Sequence, residues 1–127
     1  MAKLRTLHSN NPNPKFLEEA AHILNQGKLI IFPTDTVYGI GCLSNNETGL
    51  ARFEKVKGVK IEQAALSFLF QDIRELTKYV QHMNSTTFKL VKKLLPGPYA
   101  LIMNSSPKLP KPFHKRKTIG VRISSHI

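Results

Sequence analysis

The chain has few of the residues on which several kinds of site depend. Its 127 residues include one cysteine, Cys42, and no tryptophan. A single cysteine excludes both an intrachain disulfide and a cysteine-based metal site. The five histidines are scattered without the spacing of a metal-binding motif, and aspartate and glutamate together number eight. The sequence therefore predicts no protein-built metal site and no set of acid–base or nucleophilic catalytic residues.

Long hydrophobic runs are also missing. No stretch approaches the roughly 20 apolar residues that a membrane-spanning helix needs, and the N-terminal MAKLRTLHSNNPNP has no apolar signal region. We therefore expect a cytoplasmic protein without a membrane partner. A length of 127 residues with 41% hydrophobic residues predicts a single globular domain.

Positive charge is what the chain has in excess. It contains 19 Lys and Arg residues against eight acidic ones, a formal net charge of +11. Such an excess favours binding to polyanions, among which nucleic acid is the commonest. A basic surface that serves only solubility accounts for the charge equally well. Five cations crowd residues 108–117, and the last three, Lys115, Arg116 and Lys117, are the candidates for contact with RNA.

Hydrophobic spacing and capping residues predict alternating helices and strands. Helices are expected over residues 13–27, 45–58, 72–80 and 84–96, and strands over residues 28–32, 65–70, 99–103 and 118–123. The interleaving predicts an α/β fold with a mixed sheet. No helix follows the last strand, so we expect it to leave an open edge, which either pairs with another chain or marks a truncated product.

The stretch FPTDTVYGIGC, residues 32–42, follows the first predicted strand. Hydroxyl and carboxylate groups at the end of a strand, here Thr34, Asp35 and Thr36, are well placed to contact a small polar ligand. The same residue types also form ordinary turns, in which they bond to the local backbone. Spacing alone favours the turn. Gly39 and Gly41 match no known phosphate-binding loop, and we expect them to permit a close backbone approach or a positive φ.

Lys57 and Lys60 lie on either side of Gly58, where the second predicted helix ends. Cations at a helix C-terminus are favoured by the helix dipole, which is a sufficient structural explanation. A functional alternative is that the two lysines bind a phosphate or a carboxylate. Composition leaves both alternatives open.

Four blocks of sequence resemble one protein family. FPTDTVYGIGC at 32–42, EKVKG at 54–58, LLPGPYALIM at 94–103 and RKTIGVRI at 116–123 follow the order and spacing of the YrdC/YciO family, and look most similar to its YciO branch. The resemblance extends from about residue 12 to residue 127. It implies one YrdC-like domain over residues 1–127, with a twisted mixed β-sheet, flanking helices and a concave basic face. It also implies a C-terminally short chain, because family members continue into a Ser-x-Asn segment that contacts ATP.

The resemblance also implies a chemistry. Enzymes of the family are L-threonylcarbamoyladenylate synthases, which make threonylcarbamoyl-AMP from L-threonine, bicarbonate and ATP for the modification of adenosine 37 in tRNA. ATP and Mg would then be substrates, and binding of double-stranded RNA or tRNA is a further family property. By position, the resemblance implies that Thr34 contacts L-threonine. It likewise implies that Lys57 lines the nucleotide phosphates and that Arg122 faces the same cavity. Lys60, adjacent to the position where the family has an arginine, is the candidate to bind phosphate in its place.

The chain departs from the family pattern at several polar positions. Val59 replaces the arginine of a Lys-x-Arg motif, Leu69 replaces a histidine near the substrate, and Ala100 replaces a threonine. Each polar group that is missing from a site weakens ligand binding by about 1–3 kcal/mol. We therefore favour a domain that binds double-stranded RNA or tRNA and a nucleotide in a basic cavity over an active synthase.

Overall fold

A computed structural model describes residues 3–8, 10–111 and 113–125. Helices and strands alternate along these residues, which confirms the predicted α/β class. The helices are α1 (Pro14–Asn25), α2 (Glu47–Lys57), α3 (Ile73–Thr77) and α4 (Ser85–Leu94), and a 3₁₀ turn covers Phe113–Lys115. The strands are β1 (Ile30–Phe32), β2 (Gly39–Gly41), β3 (Ser67–Leu69), β4 (Leu101–Asn104) and β5 (Thr118–Arg122). Among the described helices, none is long and apolar enough to cross a membrane.

The helices begin where the capping residues predicted. Each of the four starts after a polar residue whose side-chain oxygen accepts a hydrogen bond from a backbone N–H of the first turn. These residues are Asn13, Asn46, Asp72 and Asn84. The end of α2 is also as predicted, because Gly58 takes up the left-handed conformation that terminates a helix, with φ of 73°.

The strands form two sheets. In the first, β1 and β2 run antiparallel, with Ile30 opposite Gly41 and Phe32 opposite Gly39. The sequence did not predict β2. Its two glycines accommodate the Phe32 ring, since a Cβ at either position would lie 3.2–3.3 Å from a ring carbon. The expected close approach at these glycines is confirmed, whereas neither adopts a positive φ.

The second sheet has the order β3–β5–β4, with β5 parallel to β3 and antiparallel to β4. The predicted mixed sheet is therefore confirmed. The expectation of an open edge at the last strand is wrong, because β5 is the central strand and is paired on both sides. Hydrophobic pattern identifies a strand but carries no information on its place in a sheet, so chain order was a poor guide.

This second sheet has one buried face and one open face, as alternating side chains require. Val121 and Ile119, 0% and 2% exposed, pack into the core with Leu76, Val91 and Phe113. The opposite face, which we call the open sheet face, presents the side chains of Ser67, Leu69, Ile102 and Arg122. The largest hydrophobic exposure among these is that of Ile102, at 74%.

Candidate functional site

The loop after β1 is joined to the end of β5 through Asp35. Its Oδ1 accepts a hydrogen bond from Arg122 Nη2 at 2.8 Å, while its Oδ2 accepts from the backbone N–H and the hydroxyl of Ser125, each at 3.0 Å. Arg122 Nη2 also donates to Thr36 Oγ1 at 3.3 Å. We call these four residues, Asp35, Thr36, Arg122 and Ser125, the Asp35 cluster. They tie the first sheet to the second.

Within the Asp35 cluster the two charged side chains are largely buried, whereas Thr36 and Ser125 are exposed. The side chains of Asp35 and Arg122 are 8% and 18% exposed. The hydrogen bond from the Ser125 N–H, with further help from the Ser125 hydroxyl and the Arg122 charge, lowers the pKa of Asp35, although burial opposes the shift. The carboxylate is therefore ionised at neutral pH. Arg122 has donors left over, because its buried Nε–H has no hydrogen-bond partner and, within the described residues, its hydrogen bonds use only Nη2.

Thr34 lies next to this cluster and makes the local bonds of a turn. Its Oγ1 accepts from the Thr36 N–H at 3.2 Å and donates to the Val37 carbonyl oxygen. The turn that spacing favoured is thus present, with the side chain half-buried. A contact between Thr34 and L-threonine remains a prediction.

Lys57 and Lys60 lie at the exposed end of α2. The Lys57 ammonium is 5.9 Å from the centroid of the Phe53 ring, a cation–π contact that covers part of that core residue. Within the described part of the chain, no hydrogen bond or ion pair links either lysine to the Asp35 cluster. Hydrogen bonds in the loop after β1 therefore link Thr34 to Arg122. Among the described residues, no such bonds link the two lysines to either residue.

The three candidates for RNA contact have different environments. Lys115 and Lys117 are exposed, before β5. Arg116 is half-buried, and its Nη2 donates to the carbonyl oxygen of Ala64 at 3.0 Å. Arg116 thereby fastens the 3₁₀ turn to the segment before β3. Its contact with RNA remains a prediction, and it is the one candidate of the three with an observed structural role.

A cavity of about 470 Å³ is lined by residues of β1, β2, α2 and β3 and by none of the Asp35 cluster. That volume suits a small molecule. Most of its lining is apolar, and it includes Phe32, Ile40, Leu69 and Phe113. None of the residues predicted for ligand binding lines the cavity. The cavity is linked to one of them through Leu69, which lines it and pairs with Arg122 across β3 and β5.

Two other side chains bear on the character of the site. Cys42 lines the cavity, and burial raises the pKa of its thiol, so the group stays protonated at neutral pH.

Val59, where the family pattern has an arginine, is 46% exposed beyond the end of α2. Over the described residues, no three of His, Cys, Asp and Glu are grouped so that they could hold a metal ion.

The fold and the sequence place the chain in a family. A family model named Sua5/YciO/YrdC, with the description "Telomere recombination", matches residues 22–127. The chain belongs to this family. It is also similar to YciO of Escherichia coli K12, with 27% identity over 128 residues, and to a threonylcarbamoyl-AMP synthase of Halorhodospira halophila, with 28% identity over 114 residues. The first alignment covers 99% of this chain and 61% of YciO, and the second covers 89% of this chain and 59% of the synthase.

Solved structures agree with the sequence comparison. The crystal structure of E. coli YciO matches with a TM-score of 0.87, over 99% of this chain and 61% of YciO. The structure of P. abyssi Sua5 complexed with L-threonine matches with a TM-score of 0.79 at 26% identity, over 91% of this chain and 34% of Sua5. The predicted family and YrdC-like fold are therefore confirmed. The chain spans about three-fifths of the length of YciO and of the synthase.

Sequence reasoning missed the contacts of Asp35 with Arg122 and Ser125. Spacing groups Asp35 with Thr34 and Thr36, as ligand contacts or as residues of a turn, and the resemblance selects Arg122, but neither predicts that the two pair. Ser125 was not considered. The sequence feature that points to this pairing is the small number of acidic residues: Asp35 is one of eight, in a chain with 19 cations. An acidic side chain shortly after a strand in such a chain is a good candidate for pairing with a cation.

Proposed function

We propose that this chain is a Sua5/YciO/YrdC domain that binds double-stranded RNA or tRNA together with a nucleotide. The supporting observation is that most of its positive charge is not paired. Of its 19 Lys and Arg residues, three form ion pairs with carboxylates within the described part of the chain. Those three are Arg5, Lys78 and Arg122, with Glu19, Glu75 and Asp35. Unpaired cations attract phosphates and displace their counterions.

The proposal assigns different cations to the two ligands. The exposed Lys115 and Lys117 contact the RNA backbone, and Arg116 adds to their field from its half-buried position. Lys57, Lys60 and Arg122 bind the nucleotide, which would be ATP accompanied by Mg. The exposed lysines at the end of α2 can approach a flexible phosphate chain, whereas Arg122 offers a fixed guanidinium.

Removing the two exposed RNA-contact lysines should weaken RNA binding and its salt dependence together. For Lys115→Ala/Lys117→Ala, we expect the slope of log K against log salt for a double-stranded RNA to become shallower by about 2, because each lysine that neutralises a phosphate adds about one unit to the slope. Fluorescence anisotropy over a series of salt concentrations measures both quantities.

The matched control removes the same charge elsewhere. Lys15→Ala/Lys28→Ala also deletes two exposed lysines, on α1 and before β1. This control should change affinity only through net charge and leave the slope nearly unchanged. Equal slopes for the two double variants would show that the charge acts as a whole and that residues 115–117 are not the contact. Wild-type affinity that does not depend on salt would exclude phosphate contact altogether.

Synthase activity is a second candidate, and a separate observation favours it. One relative is named a threonylcarbamoyl-AMP synthase, and one matching structure is complexed with L-threonine. In this chain Thr34 would contact L-threonine, and Lys57 would stabilise the negative charge that develops on the phosphates. Magnesium bound to ATP would add further charge neutralisation.

This candidate predicts pyrophosphate release that requires L-threonine, bicarbonate and ATP together. Lys57→Ala should lower the rate by about 100-fold, a loss typical for one group that stabilises transition-state charge. Lys55→Ala, on the same helix, serves as the control because the Lys-x-Arg motif matched above begins at Lys57. The assay measures pyrophosphate at high protein concentration. No release from the wild-type protein would contradict the synthase candidate and leave the binding proposal intact.

A further inference from the structure

Asp35 has no role in the function proposed above, yet its carboxylate joins the loop after β1 to both Arg122 and Ser125. We propose that Asp35 is a positioning residue, which holds the Arg122 guanidinium in the orientation that binds an anionic group of the nucleotide. This inference rests on the proposed nucleotide binding and identifies how one of its cations is fixed. Asp35 acts through Arg122 and need not touch the ligand.

Asp35 is itself held independently of Arg122. Oδ2 takes both of its hydrogen bonds from Ser125, one of them from the backbone N–H, and so only Oδ1 is directed to the arginine. A backbone donor has little freedom to move. The carboxylate is therefore a fixed anchor, and the 2.8 Å contact to Nη2 determines where the guanidinium lies.

Arg122 has hydrogen-bonding capacity left over after this contact. Nη2 is satisfied by Asp35 Oδ1 and Thr36 Oγ1, but the buried Nε–H has no acceptor. Leaving a charged group's donor unsatisfied in a buried position is costly. Within the described residues no hydrogen bond uses Nη1, so a planar guanidinium that is anchored at Nη2 keeps the Nη1 donors for an oxyanion in a defined orientation.

The alternative to positioning is that Asp35 competes with the ligand for Arg122, which would have the opposite effect on affinity. If the ligand anion replaced Asp35 on Arg122, the carboxylate would compete with the ligand, and its removal would strengthen binding. The two donors from Ser125 argue against this, since the ligand would have to displace a carboxylate that is 8% exposed and anchored from the other side. The sign of the change in affinity therefore separates positioning from competition.

The test measures the binding of ATP with Mg²⁺ to the full chain by isothermal titration calorimetry. Asp35→Asn keeps the shape of the side chain and removes its charge. We expect the Kd for ATP to rise about tenfold, the lower end of the loss seen when a group that orients a binding side chain is removed. Glu75→Gln is the matched control, because it removes one carboxylate from an ion pair on α3. This control should bind ATP as the wild type does.

A double-mutant cycle distinguishes positioning from general damage to the fold. If Asp35 acts through Arg122, Asp35→Asn should cause no further loss in an Arg122→Ala background. Losses that multiply in the double variant would overturn the inference. Tighter ATP binding by Asp35→Asn, or unchanged binding, would overturn it as well.

A second variant keeps the test decisive if Asp35→Asn does not fold. Thr36→Val removes the other acceptor of Nη2 at an exposed position and should raise the Kd about two- to fivefold, as expected for one neutral hydrogen bond. Wild-type affinity in this variant would then count against positioning. Absence of ATP binding by the wild-type protein would overturn the proposed nucleotide binding and this inference with it, whereas intact binding in Asp35→Asn would overturn the inference alone.

Discussion

Phe113→Ala is expected to lower the free energy of unfolding by about 3–5 kcal/mol. Phe113 is 2% exposed and belongs to the main hydrophobic core. Its ring packs edge-to-face on Phe68, with centroids 4.8 Å apart and an interplanar angle of 79°. The variant forfeits the transfer free energy of the ring and the aromatic interaction together. That loss is a large part of the roughly 5–15 kcal/mol by which a domain of this kind is stable.

Phe113 lines the 470 Å³ cavity, so the protein can recover little of the lost stability by repacking around the truncated side chain. The space left by the ring would merge with a void that neighbouring side chains already fail to fill, so little collapse can offset the loss. Urea unfolding measures the change, with Leu90→Ala as the control. Leu90 is 55% exposed on α4, and its truncation should change stability by less than about 0.5 kcal/mol. A similar cost for the two variants would contradict the assignment of Phe113 to the core.

The features that sequence predicted well are the ones set by local chemistry. A cap such as Asn46 is recognised by atoms within one helical turn, and so its side chain and the Gly49 N–H that it accepts from lie three residues apart. Gly58 likewise ends α2 through its own backbone freedom. Such signals are present in any short window of the chain. This explains why the starts of all four described helices could be anticipated.

The features that sequence missed depend on contacts between distant segments. Arg122 and Asp35 are 87 residues apart, and neither has a neighbour that indicates its partner. The central place of β5 between β3 and β4 is also a property of the assembled sheet. The β2 strand has only three residues, two of them glycine, which gives no hydrophobic alternation to detect.

Resemblance and geometry contribute different parts of the candidate site. The resemblance selected Thr34 and Arg122 separately, as contacts for two different groups of a ligand. The structure adds that both belong to one hydrogen-bonded arrangement, since Thr34 bonds to Thr36 and Thr36 accepts from Arg122. A change at either residue should therefore affect the other. No pattern in the sequence alone conveys that connection.

Gly120→Val is expected to destabilise the protein by about 3 kcal/mol or more, the upper end of the cost of overpacking. A Cβ at this position would lie 2.9 Å from the carbonyl oxygen of Leu66 and 3.2 Å from Ser67 Oγ. The first of these is a backbone atom, so a rotamer change cannot relieve the contact, and β3 would have to move away from β5. Those strands are paired at Ser67 and Gly120 itself.

The displacement of β3 away from β5 should also change the candidate site. Gly120 lies on the open sheet face, two residue pairs away from Leu69 and Arg122, so a shift of β3 changes the surface beside the arginine. Gly120→Ala should cost less stability than Gly120→Val and, where it stays folded, bind ATP more weakly than the wild type. Thr118→Ala, at the exposed start of β5, is the control and should leave both unfolding and ATP binding nearly unchanged. If Gly120→Ala binds ATP normally although it is less stable, the pairing of β3 with β5 supports the fold alone, and the anion site depends on Arg122 and its anchor.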